Sequence, residues 1–145
     1  MNYEKIEMLA TAFRDAIELM SKDDLNISEH FKNFPNGCCG DTSELLSIYL
    51  KENDITTIYV SGEKGLQSHG WLEYEDYIID ITADQFSGVE EKVIITNNSV
   101  WHGQFDIKWR RSVEIDKIDQ YNMQRLMNLY NKIIKNIIIT NGNKT

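Results

Sequence analysis

Two adjacent cysteines, Cys38 and Cys39, stand in the phrase "NGCCGDTSELLSIYL" (residues 36–50), and the chain has no others. A thiolate is a strong nucleophile, but an ordinary thiol is mostly protonated at neutral pH. Reactivity therefore calls for a positive neighbourhood and a base. A base and an acid occur together in "SHGWLEYEDYIIDIT" (residues 68–82), which reads as two strands around a polar Glu75-Asp76 turn. An even-length loop there sets Trp71 opposite Asp80. In that register His69, Trp71 and Glu73 share one face with Ile78, Asp80 and Thr82, while Leu72, Tyr74, Tyr77, Ile79, Ile81 and Gly70 make the other, which reads as the core face. His69 and Asp80 are then diagonal cross-strand neighbours, a relation spanning roughly 7–8 Å between Cα atoms and within reach of their side chains. An imidazole held by a carboxylate through one nitrogen keeps the other for a thiol.

The remaining candidates are weighed against this set. Cys39, in the Cys-Gly-Asp phrase that begins a helix, is preferred to Cys38 as nucleophile. If Asn36 caps that helix, Cys39 falls in its first turn; if Asp41 caps it, with Glu44 completing a capping box, Cys39 lies just outside. Both placements put the sulfur near the positive end of the helix, which lowers a thiol's pKa. His102, in "VWHGQF", is the rival base; its aromatic neighbours point to packing or a cleft wall, and no acid is apparent on a paired strand to orient it. His30 lies in a polar stretch that reads as surface. A zinc site from Cys38, Cys39 and His69 is a poor fit, because adjacent cysteines do not easily take two corners of a tetrahedron. No metal and no cofactor is expected. Trp71 is placed to screen His69 from water, and Asp84 or Gln85 to line the cleft. For an oxyanion hole the Cys39 backbone N–H is the natural first donor, with Asn33 and Asn36 as candidates for the second.

These residues need elements to carry them. Ile6, Leu9, Ala10, Phe13, Ile17 and Met20 recur at helical spacing and predict an amphipathic helix over residues 3–20. After the break at "FPNG", Thr42, Leu45, Leu46, Tyr49 and Leu50 repeat the stripe until Asn53-Asp54 ends it. "TTIYVSG" and "KVIIT" read as strands flanking the hairpin, and Met123, Leu126, Met127, Tyr130, Ile134 and Ile137 mark a long C-terminal helix. Helices, then strands, then a helix around one core is an α+β arrangement, and residues 1–145 read as one domain.

Cys39-Gly40 opening a helix, followed by "HGWLE" and "IIDIT", resembles the transglutaminase-like branch of the papain-like cysteine protease superfamily over about residues 34–86. The resemblance implies a nucleophile-bearing helix packed on an antiparallel sheet, with N-terminal helices and a C-terminal helix. By position it makes Cys39 the nucleophile, His69 the base and Asp80 the orienting acid. Gly40 stands where the aromatic that often follows that family's nucleophile would be, a departure that bears on transamidation more than on thiol chemistry.

Composition bounds the partners. With 41% hydrophobic and 26% charged residues the chain is an ordinary globular domain, and a net charge of -8 disfavours nucleic acid or an anionic membrane; Lys108, Arg110 and Arg111 form the one basic cluster and read as surface. No apolar run suits a membrane span, and the acids of "MNYEKIEMLATAF" do not suit a signal peptide, so a cytoplasmic setting with reduced thiols is expected. The expected function is thiol-dependent hydrolysis or acyl transfer, foremost cleavage of an amide or peptide bond in a peptide or protein substrate. Side-chain deamidation or transglutamination is an alternative within the same chemistry, and a non-catalytic protein-binding module is the alternative from another class. The isoleucine-rich "KIIKNIIIT" suggests a homodimer contact, with burial in the monomer as the simpler account.

Overall fold

The computed structural model describes residues 3–23, 33–36 and 39–142. Helix α1 (Tyr3–Asp23) presents the expected stripe, with Ile6, Ala10, Phe13 and Ile17 fully buried. Helix α2 (Cys39–Glu52) buries Leu45, Leu46 and Leu50, and it ends where expected: Asn53 N–H donates to Leu50 O at 2.9 Å, and Asp54 takes a left-handed conformation (φ 69°). Strands β1 (Ile58–Lys64), β2 (Gln67–Tyr74), β3 (Tyr77–Asp80), β4 (Ile94–Thr96) and β5 (Asp106–Ser112) form one antiparallel sheet in the order β4-β3-β2-β1-β5. A short helix α3 (Val100–Gly103) precedes β5, and α4 (Gln120–Gly142) closes the described chain.

The hairpin register is the expected one. Leu72 pairs with Ile79, Glu73 with Ile78 and Tyr74 with Tyr77, across a two-residue Glu75-Asp76 turn in which Glu75 has φ 54°. Strand β5 is the element the sequence reading passes over. It occupies the sheet's outer edge, its side chains are mostly exposed, and its Lys108, Arg110 and Arg111 mask the alternation of Ile107 and Trp109. Those cations are paired: Lys108 with Asp106, Arg110 with Glu73 and Arg111 with Glu44.

The main core lies between one sheet face and the helices, where Tyr59, Leu72, Ile79, Ile81 and Ile95 meet the apolar stripes of α1, α2 and α4. At about 1.5–3 kcal/mol for each fully buried large apolar side chain, this layer dominates the favourable side of folding. From the isoleucine-rich stretch, Ile133 and Ile137 are buried in this core and Ile134 packs against it, as the monomer reading expects. The opposite sheet face is also covered. Val60, Trp71 and Phe105 form a second cluster there, with Phe86, Trp101, Ile78 and Ile107 packed against it. Alternation in the hairpin alone implies one buried face; the aromatic residues of the 86–105 segment bury the second.

Arg14 on α1 clamps the chain that leaves β3. Its guanidinium is buried, donates to Ile81 O at 2.6 Å, grips Asp84 through two bonds of 2.7 and 2.8 Å, and donates to Glu18 at 2.8 Å. Asp84 is therefore an ion-pair partner of α1, not part of a cleft lining.

Candidate active site

Helix α2 begins at Cys39, which places the thiol in the first turn and leaves Asp41 inside the helix, bonded to Arg125 at 2.6 Å. The first N–H groups of a helix lack intrahelical acceptors and, with the macrodipole, create a positive field there. Cys39 is part-buried. Burial alone pushes its thiol pKa up, but a hydrogen bond to His69, the charge of that ring and the Gly70 backbone N–H outweigh it and bring the thiol below its ordinary value.

His69 on β2 has no exposed side-chain surface. Its Nε2 lies 2.7 Å from Asp80 Oδ2, which leaves Nδ1 for the thiol side of the ring. Burial disfavours the charged imidazole, yet the bonds to Asp80 and Cys39 more than compensate and raise its pKa to about 9. Asp80, at the end of β3, is buried among donors: His69 Nε2 and His102 Nε2 each reach Oδ2 at 2.7 Å, and Thr82 N–H donates to Oδ1 at 2.9 Å. Burial favours its neutral acid form, but those donors, His102 first, hold the carboxyl well below the usual carboxylate range. Lengths of 2.7 Å are those of charge-assisted N–H···O⁻ bonds.

His102 thus differs from the sequence expectation. An acid does orient it, because Asp80 accepts from its Nε2 as well as from that of His69. Ser99, capping α3, fixes it on the other side: His102 N–H donates to Ser99 Oγ at 3.1 Å, and Ser99 Oγ lies 2.6 Å from His102 Nδ1. With the hydroxyl donating to Nδ1, the neutral ring carries its proton on Nε2 and aims it at Asp80. The signal available in the sequence was Ser99-x-x-His102, a capping serine three residues before a histidine.

The other expected residues separate. Trp71 shares the His69 face, is buried, and stands 5.8 Å from the His69 ring centroid and 4.9 Å from that of His102. Phe86, Trp101 and Phe105 complete an aromatic shell within about 6 Å of His69. Gln85 Nε2 donates to Thr82 O at 3.1 Å and lies 3.3 Å from His69 Nδ1, to which it can donate only when that nitrogen carries no proton. Asn33 and Asn36 are exposed in the 33–36 turn, where Asn36 N–H donates to Asn33 O at 2.8 Å. Cys38 and His30 lie outside the described residues.

Among the described residues, His69, Asp80 and His102 form the group whose donor atoms converge closely enough to hold a metal ion, all within 4.8 Å of one another. As they stand, each histidine Nε2 engages the same carboxylate oxygen. A cation there would have to replace both Nε2 protons. A linked thiol, imidazole and buried carboxylate can perform nucleophilic attack with proton transfer. Comparison of the chain with family models, curated proteins and solved structures gives no match.

Proposed function

We propose that this protein is a thiol-dependent acyl-transfer enzyme on a papain-like, transglutaminase-like α+β domain, with Cys39 as nucleophile, His69 as general acid–base and Asp80 as orienting acid. Hydrolysis of an amide or peptide bond in a peptide or protein is the leading reaction. The observation that supports this is the buried His69–Asp80 bond of 2.7 Å beside the Cys39 thiol at a helix start, whose pKa the His69 ring brings down. The Cys39 thiolate attacks the carbonyl carbon and the π pair moves to oxygen. Imidazolium His69 then gives its Nδ1 proton to the leaving amine as the C–N bond breaks, producing a thioester. His69 next takes a proton from water, which attacks the thioester; hydroxide adds, the C–S bond breaks, and the proton returns to the pair. Ammonia as leaving group makes the same sequence a side-chain deamidation, and an amine in place of water makes it a transamidation.

The test is residue-resolved alkylation with iodoacetamide, read by mass spectrometry across pH 5–10. At pH 6.5 a thiol of pKa about 8.5 is only ~1% ionised. Cys39 should therefore react tens of times faster than Cys38 or free cysteine there. Its rate should rise through the lowered thiol pKa, while acyl transfer, which needs imidazolium, should fall again as His69 deprotonates near pH 9. Cys39→Ser should lose activity and keep its fold. Equal, ordinary reactivity of both thiols would instead favour the binding-module reading. Because His69, Asp80 and His102 converge, the labelling is repeated in excess EDTA: a rate that falls on chelation and returns with zinc would transfer the site to metal chemistry.

A further inference from the structure

We propose that Tyr59 is the second donor of the oxyanion hole, its phenolic O–H acting beside the Cys39 backbone N–H on the oxygen of the tetrahedral intermediate. The inference rests on the acyl-transfer reading above. Tyr59 belongs to β1 and is only 7% exposed, with its ring on the helical side of the sheet. Two glycines locate its hydroxyl. A Cβ built on Gly40 would stand 3.3 Å from Tyr59 Oη, and one built on Gly70 would stand 2.9 Å from Oη and 2.7 Å from Cε1. The hydroxyl is therefore wedged between the first turn of α2, one residue past the nucleophile, and the β2 residue that follows His69. Gly70 is also the residue whose backbone N–H helps to bring the Cys39 thiol pKa down. A side chain at either position would drive Tyr59 away, which gives Gly40 and Gly70 a common physical reason.

The hydroxyl is also unused. Among the described residues it has no hydrogen-bond partner, although its ring is held by the edge of Trp109 at 5.1 Å and by the Arg111 guanidinium at 5.2 Å. The ring is mostly buried, but the hydroxyl is not sealed from solvent as the unpartnered Thr42 Oγ1, Trp71 Nε1 and Tyr130 hydroxyl are, so it is free to donate to an incoming acceptor. A carbonyl oxygen becoming an oxyanion over the Cys39 sulfur would be that acceptor. Burial, then the negative charge of Cys39, raises its pKa to about 12, so near neutrality it stays protonated and acts as a donor, not as a base. The competing donors are placed otherwise: Asn33 and Asn36 are exposed in their turn, and the Gln85 amide donates to Thr82 O.

The step balances without proton transfer to the oxyanion. Sulfur bonds to the carbonyl carbon, the π pair becomes an oxygen lone pair accepted by the Tyr59 O–H and Cys39 N–H, and its return expels the leaving group. The test compares two reactions of the same thiol in the full chain. p-Nitrophenyl acetate acylates Cys39 through a tetrahedral intermediate and releases p-nitrophenolate, whereas iodoacetamide alkylates it by displacement with no oxyanion. Tyr59→Phe should slow acylation by about 10²–10³-fold, the usual effect of losing one oxyanion donor, and leave alkylation within about threefold. Gly40→Ala, which retains the hydroxyl but pushes on it, should slow acylation in the same selective way and does not depend on Tyr59→Phe folding. Unchanged acylation in both variants, or acylation and alkylation falling together, overturns the Tyr59 assignment while leaving Cys39 as nucleophile. A wild-type Cys39 that neither reagent selects defeats the acyl-transfer reading itself, and the Tyr59 assignment with it.

Discussion

Asp80→Asn is the sharpest perturbation of the site, because the carboxylate accepts on both oxygens and the amide cannot. Oδ2 takes N–H bonds from His69 and His102 at 2.7 Å, and Oδ1 takes the Thr82 N–H at 2.9 Å. An asparagine that keeps its oxygen toward the histidines turns its NH₂ onto the Thr82 N–H. The flipped amide instead sets NH₂ against two ring donors. One donor-to-donor conflict is unavoidable, and a buried polar group left unsatisfied costs about 1–3 kcal/mol. The catalytic loss is larger. Without the negative charge His69 no longer has its Nε2–H tautomer enforced, and the thiolate–imidazolium pair weakens. Loss of the orienting acid in the serine triad lowers turnover by about 10⁴-fold, and a fall of 10³–10⁴ is expected here.

The same variant carries a pH signature with a defined sign. His69 is raised in the folded protein, so its contribution to stability is full below its ordinary value of 6.5 and is lost as pH rises through about 9. A shift of that size is worth on the order of 3 kcal/mol, shared between its Asp80 and Cys39 partners. Asp80 is depressed, so its contribution is present above its ordinary value of 3.8 and is lost as pH falls through its lowered one. The lowered Cys39 thiol acts with the opposite sign below its ordinary value of 9, so the His69 loss is read in Cys39→Ser: its stability should fall as pH rises above 6.5 in urea titrations, and adding Asp80→Asn should make that fall much smaller. Cys39 alkylation in the single Asp80→Asn variant should move toward the profile of a free thiol. An Asp80→Asn variant that unfolds at the same urea concentration, turns over within tenfold of wild type and keeps the low-pH alkylation limb would refute the role given to Asp80.

Two further outcomes test the surroundings. His102→Ala removes one donor from Asp80 and strands the Ser99 hydroxyl; it should slow acyl transfer by more than tenfold and shift the acid limb of Cys39 alkylation upward, while His102→Gln, whose amide N–H can reach toward the same oxygen, should restore the rate to within a few-fold. Equal damage from both, with an unmoved pH profile, would reduce His102 to packing. Asp84→Asn removes the charge that grips buried Arg14 and should cost roughly 1–3 kcal/mol in chemical denaturation, with Cys39 alkylation per folded molecule unchanged; an altered alkylation profile at full stability would show that Asp84 acts on the site instead.

The parts of the molecule that were readable before folding are those governed by local rules. Period-two alternation and a two-residue turn give the hairpin register, and the register alone puts His69 and Asp80 on one face. The helical stripes of α1, α2 and α4 are long enough for periodicity to identify them. What escaped depends on contacts far apart in sequence. Strand β5 pairs with β1 across more than forty residues, and its exposed basic side chains resemble a loop's. His102 reaches Asp80 from 22 residues away, through a four-residue helix too short for any periodic signal. Arg14 looks like the polar side of an amphipathic helix until Asp84 and Ile81 O are brought to it. Tyr59 reads as one more aromatic in a strand, and only the approach of Gly40 and Gly70 distinguishes it.

If the acyl-transfer proposal holds, burial among the described residues favours one direction of substrate approach. On the far side of Asp80, His102 and the aromatic shell leave no side-chain surface of His69 exposed, and the depression beyond them, lined by Glu90, Ser99, Trp101 and His102, does not include Cys39. Cys39 keeps partial exposure, as does Trp109 at 41%, and the two flank Tyr59. On the acyl-transfer proposal, a carbonyl group approaches over the start of α2 and turns its oxygen toward the Cys39 N–H and the Tyr59 phenol. The low dielectric behind His69 strengthens its bond to Asp80, and on the proposed reading the part-exposed thiol is where water would enter for the second half of the reaction. Among the described residues, the base is enclosed from behind while the nucleophile stays part-exposed.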